Sequence, residues 1–415
     1  MNPARLLLSI ALLSTACTQS IVEDKNLILT LMRNQPSKFN YILDHQDSLE
    51  VQILYTQIDR GANNMPTFKS FYFRVDSTQY FYPASTVKLP LVLLAFEKLN
   101  ELKIKGLDKH TPVFHDSVYV GQRSVKKDTT AESGLPSIAH YAKKILMVSD
   151  NDAANCLYEF MGQRAIHETL RKKGYNIHIL HRLNRPASPN QNRHTEAIRF
   201  VRNDTMIYQQ PMLVNRDSIR PMRRVLKGVG YIENDALVQK PFDFTFKNSY
   251  PLEEQQEILK AVLFPSSISP ERRFALTKGD RQFLLQYMSQ LPRETSWPPY
   301  KLDTALQDAA CKFLMYAETR KRIPKSIRIF NKIGGAYGYL IDNAYIVDFD
   351  HGVEFMLSAV INTNRDGVYN DDKYDYKTIG YPFLKDLGQL IYQYELKRKR
   401  EHTPDLNEFK MTYDE

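Results

Sequence analysis

The chain has 415 residues, of which 43% are hydrophobic and 25% charged, and its formal net charge is +9. These proportions are typical of a globular protein with a large core and exclude a disordered chain or a polytopic membrane protein. The basic residues are dispersed, so the charge does not predict nucleic-acid binding. The one dense run, Lys397-Arg398-Lys399-Arg400, is interpreted as a solvated end or as a contact with anionic lipid headgroups.

Residues 1–17 have the pattern of an export signal. Arg5 precedes an apolar stretch at 6–13 that is too short to span a bilayer, and small residues follow up to Cys17. A cysteine directly after a small residue resembles a bacterial lipobox. It implies cleavage before Cys17, lipid attachment to it, and anchoring in the bacterial cell envelope. A plain secretory signal is the alternative, because Ser14 stands where the lipobox usually has leucine.

The two remaining cysteines, Cys156 and Cys311, lie in apolar contexts. We expect buried thiols there rather than a disulfide. The sequence shows no metal-ligand spacing, and no cofactor is predicted.

The first elements after the signal are a short amphipathic helix at 26–32 and two strands. Residues 51–59 alternate like a half-buried strand, and 68–75 form a second strand. Gly61 and Asn63-Asn64 provide a turn, which predicts an antiparallel hairpin.

The stretch from Tyr80 to Leu102 contains Ser85-x-x-Lys88 directly before an apolar run with helical spacing. A helix that begins at Ser85 places the Ser85 hydroxyl and the Lys88 amine on one face, within hydrogen-bond reach. Its free N–H groups also point toward any anion that develops there. The alternative is an ordinary N-cap at Ser85. Ser124-x-x-Lys127 fits the same spacing without an apolar run and is assigned to a solvated loop.

Helical periodicity dominates the middle of the chain. It covers 136–174, with a break at Ser149-Asp150-Asn151, three residue types that also cap helices. Residues 203–273 have no clear periodicity, apart from a possible helix at 251–264. They are interpreted as an insertion that forms a rim or lid over a site. Helical periodicity returns at 277–291 and continues through 303–318.

Strands return in the last third, first with a strand that carries Lys332-Ile333-Gly334 on its edge. Strands at 342–348 and 353–361 and a helix at 382–394 follow. We therefore expect an α/β (α+β) fold in which both chain ends build one sheet. The predicted units are a sheet domain from 18–84 plus 325–396, a helical domain at 85–324 that includes the insertion, and a basic, polar tail at 397–415.

Three short motifs occur in a fixed order: Ser85-x-x-Lys88, Ser149-Asp150-Asn151 and Lys332-Ile333-Gly334. This set resembles the penicillin-recognising serine hydrolase superfamily, which holds class A β-lactamases and penicillin-binding D-alanyl-D-alanine peptidases. The resemblance implies a β-lactamase/transpeptidase-like fold: an antiparallel sheet flanked by helices, an inserted all-helical domain, and the site at their junction.

The resemblance also implies roles for individual residues. Ser85 would be the acylated nucleophile and Lys88 its proton acceptor. Ser149 would relay a proton to the leaving group, Asn151 would orient Lys88 and substrate, and Lys332 would supply positive charge.

The backbone N–H groups of Ser85 and Gly335 would form the oxyanion hole, and Ile333 and Gly334 would line the substrate. Ile333 departs from the family, which commonly has threonine or serine there. In the family, the hydroxyl of that threonine or serine helps to bind the carboxylate of β-lactams and of D-alanyl-D-alanine, and Ile333 has no such hydroxyl.

A second departure concerns the Glu-x-x-Leu-Asn element that activates water in class A enzymes. Its nearest match here is Leu180-His181-Arg182-Leu183-Asn184, so leucine replaces glutamate. Efficient β-lactam turnover is then not expected. Ordinary surface roles are assigned to His181 and Glu196.

The leading hypothesis is an exported, lipid-anchored serine hydrolase that acts on an amide or ester, with cell-wall peptide as a candidate substrate. The alternatives are a class A-like β-lactamase and a catalytically inactive binding or scaffold protein on the same fold.

Overall fold

The computed structural model describes residues 27–217 and 223–413. The predicted signal and the lipidation site Cys17 therefore lie outside the described residues. Within the described ranges, no helix combines the length and the apolar character needed to cross a bilayer.

The described residues form ten α-helices and thirteen strands. The helices are α1 Leu27–Arg33, α2 Pro36–Asp44, α3 Lys88–Leu102, α4 Ile138–Val148, α5 Asn151–Met161, α6 Gln163–Lys172, α7 Pro189–Asn192, α8 Leu252–Leu263, α9 Lys278–Ser289 and α10 Tyr381–Lys397. The strands are β1 Gln52–Arg60, β2 Pro66–Phe73, β3 Val113–Asp116, β4 Ala197–Arg202, β5 Thr205–Gln210, β6 Leu226–Lys227, β7 Gly230–Glu233, β8 Ala236–Val238, β9 Phe242–Asp243, β10 Ile327–Ala336, β11 Tyr339–Asp348, β12 Val353–Asn362 and β13 Val368–Tyr369.

Both ends of the chain build one antiparallel sheet with the order β10-β11-β12-β1-β2. The predicted hairpin is β1-β2, and β1 also pairs with β12, with Tyr55 opposite Leu357. The half-buried alternation expected for β1 is wrong, because helices cover both faces of the sheet. Tyr55 donates to Glu395 of α10, whereas Thr56 on the opposite face donates to Gln256 of α8 at 2.6 Å.

The region between the two halves of the sheet is mainly helical, but it is not all-helical as expected. Helices α3 to α6 and α9 share one buried core, beside a small sheet with the order β3-β4-β5. The insertion adds short strands, of which β7 and β8 meet at Asn234-Asp235. Both of these residues have positive φ, as a tight hairpin turn requires. The helix predicted at 251–264 is α8, and it packs on the main sheet.

The helix predicted for 303–318 does not form. The segment contains one short 3₁₀ turn, Asp308–Cys311, within otherwise irregular backbone. The reason lies on β11, where the Asp342 carboxylate accepts from Phe313 N and Leu314 N, each at 3.0 Å. Amides that are bonded to a distant strand cannot also form a helical ladder.

The arginines of the basic run are tied to the fold. Arg398 and Arg400 both bind Glu395, and Arg398 also binds Asp59 at 2.5 Å. Further along, Phe409 is fully buried, with its ring 4.8 Å from that of Tyr345. The described residues 397–413 are thus anchored on the core at these points, whereas Lys397 and Lys399 are exposed. Lipid contact through these lysines stays a prediction.

Candidate active site

Ser85 lies in a 3₁₀ turn, Ala84–Val87, directly before α3. The alternative of an ordinary N-cap at Ser85 is wrong: the N-cap of α3 is Val87, and neither helix start has a side-chain cap bond. Ala84 has φ +48°, in the left-handed region that costs energy for a residue with a Cβ. The Ser85 hydroxyl therefore forms no capping hydrogen bond in this turn.

Strand β10 presses against this turn at Gly334. A Cβ at Gly334 would lie 2.7 Å from the Pro83 carbonyl oxygen and 3.2 Å from Ser85 N. Only glycine allows so close an approach. β10 is an edge strand, as predicted, with β11 as its neighbour. Ile333 follows Lys332 on this edge and is buried.

Lys88 is fully buried at the start of α3. Its Nζ donates to Asn151 Oδ1 at 2.7 Å, to Ser149 Oγ at 3.2 Å and to the Ser149 carbonyl. Burial, followed by the nearby charge of Lys332, holds the pKa of Lys88 well below its usual value. A lysine in such surroundings can act as a base.

Ser149 links the two amines of the site. It adopts a left-handed conformation, φ +61°, at the end of α4, while Asp150 caps α5 by accepting from Ala153 N. Capping therefore accounts for Asp150 but not for Ser149. The Ser149 Oγ accepts from Lys332 Nζ at 2.8 Å as well as from Lys88. With two donors on its oxygen, its own proton remains free for donation.

Lys332 is buried on β10, and its Nζ also donates to the Ile333 carbonyl at 3.0 Å. Burial lowers the pKa of Lys332 to about 8, although Cys311 and Asp342 partly oppose the shift. Cys311 and Cys156 are buried free thiols, as predicted.

The expected hydrogen bond between Ser85 and Lys88 is not formed within residues 27–217 and 223–413. The three contacts of Lys88 to Ser149 and Asn151 use the hydrogens that its ammonium carries. Loss of one proton from Lys88 would release a lone pair for the Ser85 hydroxyl.

Ser85 opens onto a cavity of about 1070 Å³. Asn151 and Gly335 line it too, so the predicted nucleophile, the predicted substrate-binding amide and the predicted oxyanion donors face one cavity. The insertion contributes Phe246 and Lys247 to the wall, in line with the predicted rim. Whether the insertion closes as a lid stays a prediction.

Leu180, the residue matched above to the class A glutamate, lines the same cavity. Its backbone is fixed from two sides, because Leu180 N donates to Asn248 Oδ1 and its carbonyl accepts from Gln163 Nε2, each at 2.8 Å. The wall of the Ser85 cavity therefore has an apolar side chain at this predicted position.

The surface roles assigned to His181 and Glu196 are wrong. His181 lines the Ser85 cavity, its Nδ1 lies 2.7 Å from the Arg182 carbonyl, and burial lowers its pKa to about 4. Its Nε2 is therefore the unprotonated nitrogen at neutral pH. Glu196 is buried elsewhere, paired with His115 at 3.0 Å.

Several cavity residues, above all Lys247 and Phe246, were not predicted from the sequence. Both come from the insertion, which lacks a clear period, so nothing marked them as neighbours of Ser85. Tyr337 also lines the cavity, two residues after Gly335. Its position shortly after the Lys332-Ile333-Gly334 motif was the one indication in the sequence that Tyr337 could line the cavity.

Comparisons with known proteins find one matching family model and a set of similar solved structures. Residues 37–229 match the model described as the Beta-lactamase enzyme family. A β-lactamase from Sphaerobacter thermophilus DSM 20745 is 13% identical, with 89% of this chain and 96% of that chain covered and a TM-score of 0.48. A β-lactamase from Xanthomonas campestris pv. campestris str. ATCC 33913 is 13% identical (88% and 98% covered, TM-score 0.48) and PBP-A is 14% identical (89% and 95%, TM-score 0.46). No curated protein matches the chain.

Proposed function

We propose that this chain, which belongs by its match over residues 37–229 to the penicillin-recognising serine hydrolase superfamily, forms an acyl-enzyme on Ser85 with an amide or ester. One observation carries the proposal. Lys88, Ser149, Asn151 and Lys332, from four separate elements, form one hydrogen-bonded group beside the cavity onto which Ser85 opens.

Acylation in this arrangement needs a neutral amine. A lysine with an ordinary pKa near 10.4 is neutral in about 0.04% of molecules at pH 7, so an unperturbed Lys88 would be a poor base. The lowered pKa of Lys88 removes much of this obstacle. Neutral Lys88 takes the Ser85 proton as Oγ bonds to the substrate carbonyl carbon.

The developing negative charge falls on the carbonyl oxygen. Backbone N–H groups of Ser85 and Gly335 would bind it, and donors of this kind are typically worth about 3 to 4 kcal/mol each. The bond to the leaving group then breaks as the proton passes from Lys88 through Ser149 to the departing nitrogen or oxygen. Lys332 would hold Ser149 in place and stabilise negative charge.

The substrate proposed is a peptide or related acyl compound of the bacterial cell wall. Export and lipid attachment at Cys17 are part of this proposal, since they would place the site in the cell envelope. The support is the sequence pattern at 1–17 together with the family.

Mass spectrometry tests the acyl-enzyme directly. The protein is incubated with penicillin G and, separately, with an activated ester, and the adduct is located by peptide mapping. We expect one adduct per chain, on Ser85, and none in Ser85→Ala. Ser124→Ala is the matched control, because Ser124 has the same spacing to a lysine, and it should react like the wild type. No adduct on the wild type, or an adduct that survives Ser85→Ala, would refute the proposal.

Two alternatives have specific observations behind them. A β-lactamase must hydrolyse its acyl-enzyme quickly, and Leu180 argues against that. Sustained turnover of a chromogenic cephalosporin, above a few per second, would restore this alternative. A binding protein on the same fold is favoured by Ile333 and by the absent Ser85 to Lys88 bond, and failure of every reactive ester to label Ser85 would support it.

A further inference from the structure

A second, smaller cavity lies beside the Ser85 cavity. Its volume is about 290 Å³, and it shares two lining residues, Leu180 and Lys247, with the first. The rest of its wall comes from 77–81, from 176–178 and from the insertion at 223–251. The two cavities are thus neighbours with a common wall.

Lys247 lies in that common wall without a carboxylate partner. It is half-buried, and burial lowers its pKa. Its Nζ lies 5.7 Å from the centroid of the Phe242 ring, and it forms no hydrogen bond or ion pair within residues 27–217 and 223–413. Two other half-buried lysines each face a carboxylate: Lys227 binds Glu50 at 2.6 Å and Lys173 binds Glu97 at 3.0 Å. An ammonium that is partly removed from water without a counter-charge is costly.

The described wall of the second cavity is rich in hydrogen-bond donors. Lys247 and Arg223 supply two cationic groups, and Asp and Glu do not occur among its described lining residues. Tyr250 also lines it, and the buried Tyr250 hydroxyl has no hydrogen-bond partner among the described residues. Tyr80 and Phe244, whose rings are 5.6 Å apart, add flat apolar surface. Such a lining favours an anion on an apolar or planar stem.

We propose that the second cavity is a subsite for a carboxylate-bearing arm of the molecule that acylates Ser85, with Lys247 as the residue that binds the carboxylate. This inference rests on the proposed function. It also accounts for Ile333, because a strand edge without a hydroxyl leaves carboxylate recognition to another part of the cavity.

The test compares two activated esters that differ only at one end, a carboxylate in one and the uncharged primary amide in the other. The second-order rate of Ser85 acylation is measured for wild type, Lys247→Met, Lys247→Arg and Lys240→Met. We expect Lys247→Met to slow the carboxylate ester by about 10- to 100-fold, the loss typical of a charge-assisted hydrogen bond. The amide ester should change by less than about twofold, and Lys247→Arg should restore most of the rate.

Lys240→Met is the matched control, since Lys240 is an exposed lysine of the same insertion that lines neither cavity. It should leave both rates unchanged. Equal slowing of both esters by Lys247→Met, or no slowing of either, overturns the inference.

Failure of the proposed function gives a different result, namely no adduct from either ester on the wild type. The inference is then decided by calorimetric titration with the free acid and its amide. Tighter binding of the acid by wild type than by Lys247→Met supports the subsite, and equal binding refutes it.

Discussion

Two buried amines surround one hydroxyl at the centre of this site. Burial disfavours the charged form of both Lys88 and Lys332. The charge of Lys332 lowers the pKa of Lys88 further. The Asp150 carboxylate opposes these shifts, but it caps α5 at Ala153 N and also lies 3.7 Å from Lys144 Nζ. Protonation of Lys88 is therefore set first by burial and then by the charge of Lys332.

Lys332→Met should move the pH dependence of acylation. Lys88 must be neutral to act as the base, so the rate rises as pH increases through the lowered pKa of Lys88. Removing the Lys332 charge raises that pKa, and the acidic limb of the profile should shift to higher pH. Stopped-flow acylation by an activated ester between pH 5 and 10 measures the shift.

The control for this measurement is Lys98→Met. Lys98 is also an amine whose pKa burial lowers to about 8, but it binds the Phe160 carbonyl and Gln210 away from the cavity. Its replacement should leave the acidic limb in place. An unchanged limb in Lys332→Met would show that Lys332 does not tune the base.

Leu180→Glu should shorten the lifetime of the acyl-enzyme. A carboxylate at this position would face the cavity and activate a water, and a general base typically contributes about 10²-fold or more. Release of the penicilloyl group is followed by mass spectrometry over time. Leu180→Gln has the same shape without the basic group, and equal acceleration in both variants would contradict the interpretation.

At the scale of elements, the site depends on the contact between the Ser85 turn and β10. Gly334→Ala would place a Cβ 2.7 Å from the Pro83 carbonyl oxygen and push the turn off the strand. We expect slower acylation and a loss of about 1 to 3 kcal/mol in the free energy of unfolding. Acylation rates and chemical denaturation measure the two effects.

Gly279→Ala is the control for this substitution. Gly279 lies in the first turn of α9, where the nearest atom to an added Cβ is Thr277 Oγ1 at 3.8 Å. It should keep wild-type rate and stability. A Gly334→Ala protein that reacts at the wild-type rate would show that the turn does not need this contact.

Elements governed by local patterns were predictable from the sequence. The hairpin β1-β2, the helix after Ser85 and the strand that carries Lys332 follow from periodicity and turn residues, and the motifs lie together because those elements meet. What failed depends on distant partners. The conformation of segment 303–318 is set by hydrogen bonds to Asp342 rather than by its own helical periodicity. Lys247 lines the cavity from an insertion whose sequence has no clear periodicity.

At the scale of the molecule, the C-terminal segment completes the core. Phe409 is fully buried and packs on Phe264, Phe330 and Tyr345. Phe409→Ala should lower the free energy of unfolding by about 3 to 5 kcal/mol, as truncation of a buried aromatic does. Urea denaturation measures the loss. The exposed neighbour Asn407 is the control, and its change to alanine should cost less than about 0.5 kcal/mol. A small loss in Phe409→Ala would mean that the tail is dispensable.

The pairing of β1 with β12, together with the contact of Gly334 against the Ser85 turn, has a consequence for biosynthesis. A nascent chain that extends only a little beyond Ser85 still lacks β10, which packs against the Ser85 turn, and Lys332, the second amine of the site. Contacts this remote in sequence are slow to form. We therefore expect Ser85 to become reactive only when the final third of the polypeptide closes onto the first hairpin.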